Sequence, residues 1–262
     1  MQRRSRTMTR NTILSLILAV CTIPAFALKP GKDPVKFAVG VHAGIDIGGA
    51  VPYPPGKAIG GQNKMSATPR LTPALGLSYT TMFDRHWSAV VESTYKTVAL
   101  DARTWVEQQG MRDPDDGTWQ YFRGRADASM SFSMLEIPLY VRYSFGDGTN
   151  KVFLGGYYAR VFKGKFETTP GPGMATPTPG DDKTWSVVNK GDMGTLNFDN
   201  GLDKWDAGII VGYERRIINR VNLSGRFSAG FKDVFRRDSR YLEYAMFHMR
   251  GTLMLSYMFM RK

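Results

Sequence analysis

The stretch FAVGVHAGIDIG, residues 37–48, alternates strictly between apolar side chains and small or polar ones. Its odd-numbered positions are all apolar, whereas its even-numbered positions hold His42, Asp46 and small residues. Because successive side chains of a β-strand point to opposite faces, this period of two predicts a strand with one apolar and one polar face. A surface strand of a soluble β-sandwich alternates in the same way, so this segment alone does not decide the fold.

Further segments of about ten residues repeat the pattern along the chain, and this length and period are typical of transmembrane β-strands. They are Leu75–Phe83, Trp87–Lys96, Leu135–Phe145, Val152–Phe162, Ala207–Glu214, Val221–Phe231 and Phe247–Phe259. Residues 152–162 are apolar on both faces, so the sequence leaves open which of their side chains point inward. The repetition predicts an all-β fold, an eight-stranded antiparallel up-and-down transmembrane β-barrel.

The connections between these segments alternate in length. The short ones are residues 84–85, 146–150 and 217–220, and the long ones are about 49–70, 101–128, 163–204 and 232–243. Outer-membrane barrels have short periplasmic turns and long external loops, an alternation for which a β-sandwich gives no reason. We therefore expect the long segments to be external loops and both termini to lie in the periplasm.

The first 27 residues have the pattern of a cleaved secretory signal. Four arginines precede an apolar run over residues 13–23, and Ala25 and Ala27 supply the small residues that signal peptidase recognises. The run is too short for a membrane-spanning helix, which needs roughly 20 residues. We expect residues 1–27 to be removed and residues 28–262 to form the barrel domain of an outer-membrane protein.

The only cysteine of the 262 residues, Cys21, lies inside this leader. Residues 18–21 faintly resemble a lipoprotein cleavage box, although Val20 is bulky where a small residue is expected. With the leader removed, the chain has no thiol for disulfides, nucleophilic catalysis or cysteine-based metal binding. Removal of the four leader arginines lowers the formal net charge from +12 to +8.

In an exported protein, a positive net charge favours anionic lipopolysaccharide rather than nucleic acid as a partner. The expected partners are therefore outer-membrane lipid and lipopolysaccharide, the barrel-assembly machinery during insertion, and a protein partner in a membrane complex. No nucleic acid is expected.

Aromatic residues lie at the strand ends beside the short turns and the termini. This expected periplasmic aromatic girdle consists of Phe83, Trp87, Tyr143, Phe145, Tyr213, Tyr257 and Phe259. Aromatic rings favour the headgroup level of a membrane, so this sorting by strand end favours a membrane barrel over a soluble one.

Charged residues occupy the inward positions of several predicted strands. This lumen charge network consists of Glu92, Lys96, Glu136, Arg142, Glu214, Arg226 and Arg250. Buried charges have to be paired to offset the loss of hydration, so the set favours a salt-bridged plug in the lumen. The alternative is a gated path for ions or protons.

The sequence contains no recognisable catalytic or cofactor motif. A lipid-facing hydrolase would need a histidine and a serine on the outer face, but His42 and His248 are expected to point inward and His86 to lie in a turn. No nucleotide-binding loop or metal-ligand cluster is present in the pattern. We expect a protein that is not an enzyme and has no cofactor or metal.

The segment from 163 to 204 is unusual because prolines and glycines crowd residues 168–182 and Trp185 and Phe198 follow them. A solvated, disordered surface loop is one interpretation. The other is a surface for a partner or a polysaccharide, in which Trp185 and Phe198 would be the contact residues.

With these segments in hand, the chain resembles the PorT-like outer-membrane β-barrel family of Bacteroidetes. The resemblance rests on residues 37–44, 135–139, 206–212, 226–231 and 255–259, and it extends over nearly all of the mature chain. The founding member of that family takes part in a secretion and gliding-associated machinery, so the resemblance implies a secretion-associated role. It implies no catalytic residues. The chain departs from many outer-membrane barrels in having three residues after its last aromatic, Phe259.

Two function classes stay open from the sequence. The first is a structural or interaction barrel, an accessory of a secretion or surface-assembly complex. The second is a small transport or ion-conducting barrel. An eight-stranded barrel has an interior just wide enough for side chains to fill, and this favours the first class.

The leader generates a direct prediction. We expect the mature protein to begin at Leu28 and to fractionate with the outer membrane, because the small residues at 25 and 27 define the cleavage site. N-terminal sequencing of protein isolated from membranes checks the first residue. An intact leader, or recovery of the protein in the soluble fraction, would contradict the prediction.

Overall fold

A computed structural model describes residues 36–53, 66–112, 118–146, 148–178, 184–190, 192–237 and 245–261. The expected signal peptide and its cleavage site lie outside these residues. The described chain is almost entirely β-structure. Its strands are β1 (Lys36–Tyr53), β2 (Ser66–Arg70), β3 (Thr72–Met82), β4 (Trp87–Arg112), β5 (Trp119–Phe145), β6 (Asn150–Thr176), β7 (Ser186–Val188), β8 (Leu196–Asn197), β9 (Trp205–Ile218), β10 (Val221–Asp233) and β11 (Ala245–Arg261). Among the described residues, no helix has the length and apolar character needed to span a membrane.

Eight of these strands form a closed antiparallel ring. Around the ring the order is β1, β3, β4, β5, β6, β9, β10 and β11, and β11 pairs again with β1. The short strands add to its rim, since β2 pairs with β4 while β7 and β8 pair with β6. The predicted eight-stranded up-and-down barrel is confirmed.

The alternation of faces follows the sequence pattern. Along β1, Val41 and Ile45 are exposed on the outside, whereas His42 and Asp46 are buried in the lumen. The phase of β6, which the sequence left open, is defined by its register with β5 and β9: Leu154 points outward and Phe153 inward. Each strand of the ring therefore presents one face to lipid and one to the lumen.

Three of the strands are much longer than the sequence indicated. Most of the predicted external loop 101–128 is strand, because β4 runs to Arg112 and β5 begins at Trp119, and the first part of the predicted loop 163–204 is strand, because β6 continues to Thr176. We call residues 97–112, 119–133 and 163–176 the three-strand wall. The alternation persists there, but the outward face carries mostly polar residues, such as Asp127 and Arg125, beside the exposed Trp105 and Trp119. Because polar residues are typical of loops, the sequence pattern predicted a loop here. The structure instead has strands whose outer surface faces water rather than lipid.

The two ends of the barrel differ in their connections. At one end, which we call the turn end, β3–β4, β5–β6 and β9–β10 are joined by short turns, and β1 begins and β11 ends. In the β3–β4 turn, the Asp84 carboxylate accepts hydrogen bonds from the backbone N–H groups of His86 and Trp87, at 2.6 and 2.8 Å. These bonds hold the pKa of Asp84 below its usual range. The opposite end, with the wall and the long connections, is the loop end.

The inside–outside phase can be tested with a single charge. Leu139 lies on the outer face of β5 and is 44 % exposed. We expect Leu139→Arg to lower the free energy of unfolding by about 2–4 kcal/mol, because a cation near the bilayer midplane lacks water. Unfolding by denaturant in lipid vesicles measures this loss.

Two matched variants isolate the effect of depth and charge. Leu139→Ala removes the side chain without adding a charge, and Ser129→Arg adds the same charge on the same face of β5, in the wall opposite Asp101. We expect both to change stability much less than Leu139→Arg. Equal losses for Leu139→Arg and Ser129→Arg would show that Leu139 does not face lipid.

Candidate functional site: a lumen filled with ion pairs

The lumen contains a balanced set of buried charges. Among the described residues, the buried charged side chains are five acids and five bases, namely Asp46, Glu92, Glu136, Asp206 and Glu214 with Lys96, Arg142, Lys151, Arg226 and Arg250. Their formal charges cancel. Each of the ten is at most 7 % exposed, so water cannot compensate for a missing partner.

The first cluster centres on Glu136, which is fully buried. Lys96 Nζ donates to Glu136 Oε1 at 2.9 Å, and Arg250 Nη2 donates to Glu136 Oε2 at 2.6 Å. Lys96 also donates to Asp46 Oδ2 at 3.0 Å, and the Thr252 hydroxyl donates to the same oxygen at 2.9 Å. Charges contributed by β1, β4, β5 and β11 thus meet in one hydrogen-bonded group.

Asp206 extends this cluster across to β9. Its Oδ2 accepts a hydrogen bond from the Tyr157 hydroxyl at 2.7 Å and lies 3.8 Å from Arg250 Nη1. The Arg250 guanidinium also lies over the Tyr157 ring, 4.7 Å from its centroid. Arg250 is therefore held by two carboxylates and one aromatic face.

The second cluster is a paired Glu92 and Arg226. Both guanidinium Nη atoms donate to the carboxylate, at 2.7 and 3.2 Å, in the forked geometry that makes arginine–carboxylate pairs strong. The Tyr140 hydroxyl donates to Glu92 Oε1 at 2.7 Å. The pair joins β4 to β10 across the lumen, so it ties opposite walls of the barrel together.

The third cluster lies nearest the turn end and centres on Glu214. Arg142 Nη1 donates to both carboxylate oxygens, at 3.2 and 3.0 Å, and Lys151 Nζ donates to Oε1. Arg142 Nε also donates to the Ser88 hydroxyl at 3.1 Å. The third cluster has one cation in excess, and the first cluster, with three acids and two bases, has one acid in excess, so the two balance.

Beyond the first cluster, toward the loop end, the lumen becomes apolar. The His248 and Phe132 rings pack edge to face with their centroids 4.8 Å apart. Beyond them, a cluster of aromatic and aliphatic side chains fills the interior of the wall. We call Phe132, Phe166, Phe198, Leu202 and Phe235 the loop-end plug. Its members are at most 5 % exposed. The centroid of the Phe166 ring lies 5.9 Å from that of Phe198 and 5.3 Å from that of Phe235.

The plug is held by backbone contacts as well as by packing. The Phe198 N–H donates to the Phe166 carbonyl at 2.9 Å, and Asp199 Oδ1 accepts from the Phe166 N–H at 2.7 Å. A short 3-10 helix over residues 199–201 and an isolated bridge between Leu202 and Phe235 complete it. The part of the 163–204 segment that holds Phe198 is therefore an ordered cover packed on the wall.

Little empty space remains among the ion pairs. A cavity of about 10 Å³ lies between the second and third clusters, and His42, Ser78 and Arg226 are among the residues that line it. Such a cavity is about the smallest that can hold one water molecule. Ion pairs and the loop-end plug occupy the lumen among the residues that the structure describes.

The structure brings together all seven residues of the predicted charge network. Within this network, Glu136 pairs with Lys96 and Arg250. Three further members were missed. Asp46 had been placed inward but not joined to the network, Lys151 lies just before the segment of open phase, and Asp206 immediately precedes a predicted strand.

The other predicted residues are also placed by the structure. All seven girdle aromatics are exposed on the outer surface near the turn end. Phe198 is fully buried, so its prediction as an exposed contact residue is wrong: it packs in the plug, while Trp185 is half-buried. His42 and His248 are buried in the lumen, and His86 is exposed in a turn. No cluster of potential metal ligands occurs within the described ranges.

Comparisons with solved structures find other small outer-membrane proteins at low identity. Ail, the attachment invasion locus protein of Yersinia pestis, crystallised with the heparin analogue sucrose octasulfate, is 9 % identical over 87 % of this chain and 100 % of its own, with a TM-score of 0.36. OprG from Pseudomonas aeruginosa is 12 % identical over 87 % and 98 %, with a TM-score of 0.36. Neisserial surface protein A is 10 % identical over 85 % and 97 %, with a TM-score of 0.33. Likenesses of this degree carry no information about function.

A comparison with curated proteins finds no match. The sequence comparison is decisive for the family, because residues 30–236, well over half of the chain, match the family described as an outer membrane protein beta-barrel domain. This match agrees with the closed ring of eight strands and places the protein in the outer membrane. The chain belongs to the outer membrane protein beta-barrel domain family.

Proposed function

We propose that this protein is a closed, non-enzymatic outer-membrane barrel with a structural or interaction role. The observation that carries the proposal is the lumen, in which ten buried charges are paired and an apolar plug covers the loop end. A conducting pore needs a path that water and ions can follow, lined by carbonyl oxygens or by charged side chains that are free to meet the ion. Here the charges bind each other, so the interior stabilises the barrel instead of conducting through it.

The exterior supports an accessory role in a secretion or surface-assembly complex. The three-strand wall rises beyond the apolar outer surface of the barrel and exposes polar and aromatic residues, including Trp105 and Trp119 at 44 and 41 %. Exposed tryptophans are characteristic of interaction surfaces. The resemblance to PorT-like barrels supports the same role, with the turn end in the periplasm and the wall outside the cell.

The alternative function is a small transport or ion-conducting barrel. Its support is the polar lumen around the second and third clusters. For ions to pass, the ion pairs and the loop-end plug would have to separate. The two functions differ in whether the lumen charges contribute to stability or to current, and one variant measures both.

The lumen is tested at Glu136. Glu136→Gln leaves Lys96 and Arg250 with one negative charge fewer in a site that bulk solvent does not reach. We expect the free energy of unfolding to fall by about 3–5 kcal/mol, the cost of removing one partner from a buried ion pair. The denaturation midpoint in lipid vesicles and the single-channel current in planar bilayers are measured on the same preparation.

The exposed pair Arg103–Asp127, at 2.9 Å on the wall, supplies the control. Asp127→Asn should change stability far less, because water solvates both partners. We expect neither variant to conduct. An unchanged midpoint for Glu136→Gln together with an altered current would establish the transport alternative.

The plug is tested at Phe198. Phe198→Ala should destabilise the cover by about 3–5 kcal/mol, because it empties a fully buried aromatic site. Since the ion-pair clusters below it are intact, the barrel should stay closed to ions. Limited proteolysis of residues 184–202 and bilayer recordings check the two halves of this expectation, and stable currents from Phe198→Ala would show that the plug alone closes the lumen.

A further inference from the structure

Arg160 occupies an unusual place on the outer surface. It lies exposed on the lipid-facing side of β6, where its register partners are Leu135 on β5 and Trp205 on β9. Along its own strand, the nearest residues on the same face are Tyr158 and Phe162. A permanently charged guanidinium is thus surrounded by apolar and aromatic side chains.

No other outward position in this zone is charged. Between the turn-end girdle and the loop-end aromatics Phe162, Trp205 and Phe231, the described outward residues of all eight ring strands are uncharged except Arg160. None of the acidic side chains in the described ranges forms an ion pair with it. A cation on a lipid-facing surface is destabilising unless it reaches the headgroup level and an anion there.

The residues around Arg160 include aromatic side chains typical of the headgroup level and further cations. Tyr158 and Trp205 stack with ring centroids 6.2 Å apart, as an aromatic pair at a membrane interface does. Lys163 follows on β6, and Lys204 precedes Trp205 and accepts a backbone hydrogen bond from Val161 at 2.9 Å. Both lysines are exposed and have no ion-pair partner among the described residues.

A fourth cation nearby, Lys232, already has an ion-pair partner in the described part of the chain, unlike the other three. Lys232 Nζ lies 3.5 Å from the centroid of the Trp205 ring and forms an ion pair with Asp203. It therefore fixes the orientation of the indole. Arg160, Lys163 and Lys204 are left near the Trp205 indole as three cations without an ion-pair partner among the described residues.

Resting on the orientation given under the proposed function, with the loop end outside the cell, we propose that Arg160, Lys163 and Lys204 form a binding site for the phosphate of an anionic lipid headgroup, that of lipopolysaccharide in the outer leaflet. Arg160 supplies the planar fork that matches phosphate oxygens, and the two lysines supply point charges. Tyr158, Phe162 and Trp205 cover the adjoining acyl chains. The site lies on one side of the barrel, so bound lipid would coat the β5–β6–β9 face specifically.

Binding of lipopolysaccharide to the purified full mature barrel in a neutral detergent tests the site, with native mass spectrometry as the readout. Dephosphorylated lipopolysaccharide and inorganic phosphate are the two comparison ligands. We expect the intact glycolipid to bind more tightly than the dephosphorylated one, and inorganic phosphate not to compete at equal concentration. Equal binding of the two glycolipids, or full competition by inorganic phosphate, would overturn the proposal without any variant.

The variants assign the binding to named residues. Arg160→Gln should weaken the affinity about fivefold, and adding Lys163→Gln should weaken it by a similar further factor. Arg160→Lys, which keeps the charge, should lose less. Arg125→Gln is the matched control: Arg125 is exposed on the outer face of β5 and pairs with Trp105, but it lies high on the wall.

Folding of each variant is verified by its heat-modifiable electrophoretic mobility. An affinity of Arg160→Gln equal to that of the native barrel, or an equal loss for Arg125→Gln, would refute the assignment. If Arg160→Gln does not fold, two measurements still test the proposal. They are the affinities of the native barrel for the two glycolipids and the affinity of the Arg160→Lys variant for lipopolysaccharide.

Discussion

Every backbone N–H and C=O group inside a bilayer has to find its hydrogen-bond partner within the protein, because lipid offers none. For strands, only a closed ring meets this constraint, and here the pairing of β1 with β11 closes it. The closure fixes the rest of the architecture. Eight strands enclose a space that side chains can fill, every second residue must enter that space, and the remaining residues must face lipid.

The filling of the lumen follows from that geometry. Inward positions on eight strands converge, so charges placed there lose their water and must be neutralised by each other. Every pair joins two different strands, and two of them, Glu92–Arg226 and Glu136–Arg250, connect opposite sides of the ring across the lumen. Toward the loop end the same need to exclude voids is met by apolar side chains, since Phe198 and Phe235 fold over the wall.

The sequence was sufficient for what depends on local periodicity. It predicted the strand number, the faces of most strands and the seven charged lumen residues, because each is visible within ten residues of chain. The sequence failed to predict the three-strand wall, where the outer face of the strands contacts water instead of lipid. The wall keeps a period of two, but outer residues such as Asp127 are polar, and polar residues are typical of loops. Partner choice also escaped it, since Glu136 and Arg250 are 114 positions apart and only the closed ring brings them together. Phe198 was misjudged because a proline-rich stretch before it gives no hint that the chain returns to β6.

The cross-lumen pairing has a consequence for the order of assembly. Four of the contacts in the charge network join β4, β5 or β6 to strands that come after residue 204 in the chain. A sheet that lacks β11 has five acids but only four bases on its concave side, and Glu136 then has one cation instead of two. Such an open intermediate must keep its concave side hydrated, and it can expel that water only when the last strand docks. Ring closure and drying of the interior are therefore one cooperative event, in which the final strand supplies both the missing backbone partners and the missing charge.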